Sequence, residues 1–515
     1  MSQVQTAGST KLRQEMPVIV PSMNRRAHRM RLRQGELSLA VGLDGRYTGG
    51  LRTFGGYTAY LNLVDVIATL TDVRWVEFAD VGIGAHRGFL VEYYDTAAAK
   101  FLIDLVYRQS GPWTRFAVHV GGATPQLPTA VSANGCTYIS KINKVLYRGS
   151  MGLSMTTIGC GSSYVSPGGP GLWAYLSGGH LGDGEYRVGY RLYDAYRGVF
   201  SGLGSATIRL TGEADALTES PPVVLPPRTQ SISASPTVSA PWTHIYVYRS
   251  LSVEVAGNVA AAGTLYLEQI SDDEWDGVVG VLSDIALTQQ EVYDPVLDQV
   301  GMPATIRAIG EVEGALFVGS GAGAGPQLQF SKTSAAEPEN FPASNRFVWN
   351  AEAGYITRFV KTADMLYAWT PNAVLRIAKL GPQLVVTKLH EGRGVTCSGG
   401  VAAMDRDMLA MTGTGLMVVN GQNGDMQSVG SVERLLLDDA DWRDHKADVV
   451  LVTDTALGAT FVYNVATGVK RAIVLWHLSG ATTELEAADF VWAWSGPDPL
   501  VTNGVSRSWV ATSDG

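Results

Sequence analysis

Apolar and polar residues exchange places at every second position through short stretches of this chain, and small turn residues close each stretch. Ala315, Leu316, Phe317 and Val318 form an apolar run ended by Gly319; Gln327 to Ser331 alternate; Met365 to Trp369 face Ala373 to Ile377 across Thr370, Pro371 and Asn372. Alternation at period two with tight turns predicts antiparallel strands. The pattern returns in Met408 to Gly421 and in Thr460 to Trp476, each a strand pair about a Gly-bearing turn. Hairpins recurring at roughly 45-residue spacing match the length of one blade of a β-propeller.

The same reading divides the chain into four zones: 1–34, 35–180, 181–300 and 301–515. The first is a basic arm. Its Lys11, Arg13, Arg25, Arg26, Arg29, Arg31 and Arg33 stand against the single acid Glu15, which suits docking on an acidic neighbour or nucleic acid, or else a solvated tail. The second zone carries strands at Gly88 to Tyr94, Lys100 to Tyr107, Arg115 to Val120 and Lys144 to Tyr147, then becomes Gly- and Ser-rich with a break at Pro167 to Pro170. It is a first propeller segment. In the third, Tyr186, Val188 and Tyr190 alternate with Arg187, Gly189 and Arg191, and PWTHIYVYRS and TLYLEQI follow a Pro-rich joint at Pro221 to Pro227. That order predicts a β-sandwich resembling fibronectin type III or Ig-like domains, inserted into the propeller or adjacent to it, with its tyrosines in packing roles. The fourth zone holds the recurrent hairpins and forms a second propeller segment. Because an open last blade leaves strand edges unpaired, N-terminal strands are expected to complete the final blade.

Composition narrows the class. Hydrophobic residues fill 46% of 515 positions and charged residues 17%, with 59 Gly and 22 Pro, so the chain turns often and is expected to bury surface against partners. A net charge of −9 argues against a nucleic-acid binder, although a weakly repulsive channel lining lets a polyanion slide where a basic one would hold it. Cys136, Cys160 and Cys397 show neither CxxC nor zinc spacing and read as buried thiols. The opening MSQVQTAGSTKLRQEM has no apolar core of a signal sequence, and no run of about 18 apolar residues occurs. Synthesis in a reducing cytoplasm without passage through a membrane is the expectation.

A resemblance attaches to specific phrases. A strand ending in Gly319-Ser320 is followed by Gln329-Phe330-Ser331-Lys332, by Glu337-Pro338-Glu339-Asn340-Phe341, by the ITRFVKTADMLYAWT element and by HEGRGVTC. Together they resemble the propeller of tail hub or nozzle proteins from short-tailed, podovirus-like bacteriophages, over roughly Ile306 to Trp476. The opening at Leu51, Arg52, Phe54 and Gly55 resembles the start of such propellers. The resemblance implies a structural virion protein of the tail, assembled in the host cytoplasm. It would be a homo-oligomer, expected to be a hexamer, set below the portal and adaptor, carrying tail fibres or spikes and touching genomic DNA in transit. It implies no cofactor, no metal and no catalytic residue; Arg25, Arg26, Arg29, Arg31 and Arg33 are the candidate docking residues.

Candidate chemistry elsewhere is thin. HEGRG at His390 to Gly394 lacks the second His of HExxH. GSGAGAG at Gly319 to Gly325 precedes Pro326 and a strand, so no helix N-terminus is there to hold a pyrophosphate. No G-x-S-x-G elbow occurs. Acidic clusters surround Trp275 (Asp272, Asp273, Glu274, Asp276) and Trp442 (Asp438, Asp439, Asp441, Asp444); solvated turns are the favoured reading over a carboxylate-plus-aromatic sugar site. The run Asp405 to Asp407 lacks the Gly and Glu of a calcium loop. Trp349, Trp369, Trp442, Trp476, Trp492 and Trp494 follow no fixed interval, which favours packing over a lectin's repeated sugar platform. A carbohydrate-binding propeller is nevertheless the alternative function, and a glycan-degrading propeller enzyme a third.

Overall fold

Strand runs such as Val449–Asp454 and Ala459–Asn464 are buried at every position. A strand covered on both faces needs apolar residues at successive positions. That coverage comes from sheets stacked face to face. The computed structural model describes residues 43–44, 52–53, most of 60–159, 173–177, 184–210, 214–219, 243–253, 263–271, 278–279, 284–298 and, with short interruptions, 305–512. The chain is all-β, built mainly from four-stranded antiparallel sheets whose strands follow chain order.

Sheet 1 opens with Leu70–Val81 and sheet 2 with Ala130–Ala133; sheets 3 to 6 open with Ile306–Val312, Arg358–Lys361, Val401–Met404 and Val449–Asp454. Sheet 7 is the pair Phe490–Gly496 and Arg507–Thr512. Each opening strand packs beside those of the sheets before and after it, and that of sheet 7 lies beside that of sheet 1. The seven sheets therefore close into a propeller-like ring. Apolar clusters fill the spaces between neighbours: Cys136, Tyr138, Ile309 and Val318 between sheets 2 and 3, Phe317 and Phe359 between 3 and 4, Tyr367 and Met408 between 4 and 5, Leu409 and Leu451 between 5 and 6. The largest cluster runs across sheets 6, 7 and 1.

Glycine lets the opening strands converge. A Cβ on Gly310 would stand 2.7 Å from Cβ and Cγ of Phe359 in the next sheet, closer than packed carbons approach. Gly310→Val is accordingly expected to cost about 1–3 kcal/mol through overpacking, read as a lowered urea midpoint with an unchanged denaturant slope.

The expected completion of the final blade by N-terminal strands falls largely on residues outside the described ones. Among the described residues, sheet 7 holds only its own two strands, and Leu43–Asp44 pairs with Arg52–Thr53 as a separate ladder whose first strand lies near Thr482–Glu486. Aromatic side chains join sheet 7 to sheet 1. Tyr60 meets Trp509 edge-on at 4.8 Å between centroids, and Phe89 meets Trp494 at 5.5 Å and Trp509 at 5.7 Å. Such pairs add about 0.5–1.5 kcal/mol each beyond the area they bury.

Between sheets 2 and 3 the chain leaves the ring to build an insert of two sheets. One is Trp173–Ser177, Ala214–Glu219 and Val278–Val279; the other pairs Gly184–Asp194 with Gly204–Leu210 and with His244–Arg249, and the latter with Tyr266–Ser271. Trp173–Ser177 pairs within the insert, so the insert starts before the limit at 180 read from the sequence. Among the described residues no helix is long and apolar enough to cross a membrane.

Candidate functional site at the insert junction and the ring axis

The phrase that carries the sequence resemblance lies where the insert meets the ring. Ser331 follows the third strand of sheet 3, Gln327–Phe330, and its Oγ accepts from the N–H of Leu316 at 2.9 Å. The connector Glu337 to Phe341 then turns inward, and Phe341 packs in the cluster between sheets 2 and 3. Glu339 is wholly buried and ion-pairs with Arg197, which reaches across from the insert; Arg197 Nε donates to Glu339 Oε1 at 3.1 Å. The N–H of Gly159 donates to Glu339 Oε2 at 2.6 Å, and Arg197 Nη2 to the carbonyl of Thr157 at 3.1 Å. One carboxylate thus ties the end of sheet 2, the insert and sheet 3 together.

A second group of charges flanks it. Lys332 ion-pairs with Asp298 on the segment returning from the insert, and its Nζ donates to Glu337 at 2.9 Å. Arg191, 2% exposed on the insert strand Gly184–Asp194, lies 3.8 Å from Asp298 and 4.0 Å from Glu337 and stacks over the Phe200 ring at 4.2 Å. Asn340 Nδ2 donates to Glu337 at 2.8 Å. Asp194, at the end of the same insert strand, accepts from the N–H of Tyr196 at 2.9 Å, while its other oxygen is buried without a hydrogen-bond partner. Burial, against the pull of Arg197, pushes its carboxyl up to about 6. Burial likewise pushes the Cys136 thiol of sheet 2 up to about 12, with Glu339 adding to it, so this cysteine is inert packing.

The ring axis is occupied by charge as well. Glu77 of sheet 1 accepts from Arg358 of sheet 4 at 2.5 Å and from the N–H of Ala130 of sheet 2 at 2.6 Å. Sheets 1 and 4 are three steps apart in the ring, so the pair crosses it. A cavity of about 450 Å3 opens there, lined by Glu77, Arg358, Lys361, Thr362, Trp492 and Trp494 among others. Lys361 reaches Glu311 of sheet 3 at 2.8 Å. The described carboxylates Glu77 and Glu311 are therefore both engaged by cations of sheet 4.

The remaining sequence candidates resolve into structure. Arg25, Arg26, Arg29, Arg31 and Arg33 lie outside the described residues, as do Cys160, Trp349, the loop after Ser320 and the acidic group around Trp275. Around Trp442 the acids cap and brace a helical turn. Asp439 accepts from the N–H of Asp441 at 3.1 Å, and Arg471 reaches Asp439 at 2.6 Å, Asp441 at 3.3 Å and Glu484 at 2.5 Å. Trp442 itself is fully buried, so it offers no face to a sugar. Trp369 and Trp476 are buried too, as packing predicts. HEGRG is a strap on the hairpin of sheet 4: the N–H groups of Gly392 and Val395 donate to the carbonyls of Asn372 and Thr370 at 2.7 and 2.9 Å. Asp405 stands in a hairpin turn at φ +57°, and Asp407 accepts from the N–H of Gly421 at 3.2 Å. Among the described residues no three His, Cys, Asp or Glu side chains gather as metal ligands would.

Sequence reading missed Arg191, Arg197, Glu77 and Arg358. The available signal was arginine at positions of the alternating insert segment YRLYDAYRG that interior packing would otherwise give to apolar residues, facing an acidic connector far along the chain.

No protein-family model and no curated protein matches the chain. Among solved structures it is similar to apo AztD from Citrobacter koseri, at 9% identity over 81% of this chain and 96% of that one with a TM-score of 0.25. It is also similar to the periplasmic gluconolactonase PpgL of Pseudomonas aeruginosa, at 11% identity over 59% of this chain and 97% of that one with a TM-score of 0.25. An ancestral GH74 enzyme matches at 10% identity over 85% of this chain and 68% of that one, with a TM-score of 0.27. Likenesses this low fix neither a family nor a chemistry for the chain.

Proposed function

We propose that this chain is a non-enzymatic structural protein of a virion, a tail hub or nozzle subunit of a short-tailed bacteriophage, assembled in the host cytoplasm as a homo-oligomer of six. In this reading it sits below the portal and adaptor and offers its outer edges to tail fibres or spikes. The observation that carries the reading is the use made of Ser331 to Phe341: the residues that resemble the phage proteins brace the insert on the ring. They are engaged in holding two bodies in register. A rigid ring with a braced arm suits a part that transmits load between neighbours, and heterologous contacts repeated about an axis close such parts into a larger ring. The insert, with its sheet order Gly204–Leu210, Gly184–Asp194, His244–Arg249, Tyr266–Ser271, is proposed to be a fibronectin type III or Ig-like sandwich.

The axis bears on where DNA would pass. A cavity of about 450 Å3 crossed by the Glu77–Arg358 pair has no room for a nucleic-acid duplex, so the ejection channel in this reading lies between subunits. The same cavity, with Trp492 and Trp494 in its wall, is what favours the second reading, a carbohydrate-binding propeller.

Light scattering on the purified chain separates the two. The nozzle reading expects a mass near six times 55.0 kDa, alone or on mixing with portal–adaptor complexes. A monomer that ignores those complexes and is retained on immobilised glycans would sink it in favour of the lectin.

A further inference from the structure

Among the described residues, the insert is seated on the ring mainly by charge. Its own buried apolar residues, among them Tyr186, Val188, Leu192, Val247 and Tyr248, join none of the five apolar clusters of the ring. Among the described residues, what crosses the junction is Arg197 to Glu339 and Thr157 and over the Tyr147 ring at 5.6 Å, Lys332 to Asp298, Arg191 toward Glu337, and Asn340 Nδ2 to the carbonyl of Leu297 at 3.5 Å. Interfaces between bodies of one chain that lack a large apolar seam resemble transient contacts, for which relative motion is the default. A buried ion pair sets a specific register while adding little stability over an apolar contact.

The charges do not balance at the centre. Arg197 is one cation between two buried carboxylates, Glu339 and Asp194, and Asp194 keeps an oxygen with no partner. From its own turn Asp194 is faced by Arg197 and Tyr193, from the connector of sheet 3 by Glu339, and from sheet 2 by Cys136 and Tyr147. None of these supplies a second positive charge. We propose that the insert is a separable arm latched to the ring by the Arg197–Glu339–Asp194 cluster, and that the latch is proton-sensitive, tightening on acidification and loosening as the solution becomes neutral.

The sign follows from linkage. Seating buries Asp194 and raises its affinity for a proton; an unseated Asp194 returns to the ordinary value of 3.8. The seated form then holds more protons between about pH 4 and 6, so seating strengthens as pH falls through that window, by a factor of about 30. Above it Asp194 is ionised in both forms and the seat is at its weakest. The inference concerns this joint alone and stands apart from the assembly proposed for the chain.

Hydrogen–deuterium exchange of the full chain tests it, with the amides of Val449–Asp454 in sheet 6 as the internal reference that removes the intrinsic effect of pH. Exchange at Gly159 and around Tyr196 to Gly198, divided by the reference, is expected to slow about 25-fold from pH 7.5 to 4.5. Asp194→Asn should be slow throughout and lose the dependence, while Glu339→Gln should exchange fast at every pH. A wild-type ratio that does not change with pH overturns the proposal. So does an Asp194→Asn protein with its reference protection intact that keeps the wild-type slope. Should that variant fail to fold, the wild-type slope alone decides.

Discussion

Glu339→Ala is expected to lower the stability of the seated protein by about 3–5 kcal/mol, the usual consequence of removing one partner from a buried ion pair. Arg197 is 2% exposed and has no route to solvent while the insert is seated. Losing Glu339 leaves its guanidinium with the carbonyl of Thr157 and the nearby Asp194, and leaves the N–H of Gly159 without its acceptor. The molecule's cheapest response is to lift the insert and hydrate the arginine. Urea unfolding followed by tryptophan emission should therefore show a new early transition, with the ring melting later at a midpoint close to the wild type. Replacing both partners, Arg197→Met with Glu339→Leu, should recover most of the loss, because an apolar pair of similar size carries no desolvation penalty. A single variant within 1 kcal/mol of wild type would mean that water already reaches the pair.

Trp476→Ala should cost a similar amount, about 3–5 kcal/mol, but in the ring. The indole is 1% exposed in the third strand of sheet 6, within the cluster that also holds Phe461, Tyr463, Phe490 and Trp492. Its Nε1 donates to Thr483 Oγ1 at 3.1 Å, so truncation removes packing and also leaves a buried hydroxyl in want of a partner. Because this cluster closes the ring from sheet 6 through sheet 7 to sheet 1, the loss should appear in the main transition, measured as a fall in its midpoint. Trp476→Phe, which refills much of the volume, should recover over half of it. The two variants together test whether insert and ring unfold as separate units: Glu339→Ala should move the first transition and Trp476→Ala the second.

Strand content was legible because a strand's two-residue period writes its burial directly into the sequence. The hairpin read at Met365 to Ile377 is observed as Leu366–Trp369 and Ala373–Leu380, and the strands read at Gly88, Lys100, Arg115 and Lys144 are strands in the structure. Glycine requirements were less local. Gly394 had to be glycine: a Cβ there would sit 1.9 Å from the carbonyl oxygen of Thr370. Even the burial of Trp369, Trp442 and Trp476 follows from their irregular spacing, since a shared ligand would require a repeated position and a core does not.

The sequence by itself determined that the chain is all-β and where most hairpins turn, because both depend on neighbours within about ten residues. Only the tertiary structure decided which sheet meets which. Sheet 7 closes on sheet 1 through Tyr60, Phe89, Trp494 and Trp509, contacts that the hairpin pattern does not specify. Arg197 finds Glu339 at 142 positions' remove, and Arg358 finds Glu77 at 281. Local pattern carries no information about such pairs. An arginine in an alternating strand reads as solvent-facing until a carboxylate from a distant connector makes its burial affordable, and that meeting is set by the closure of the ring.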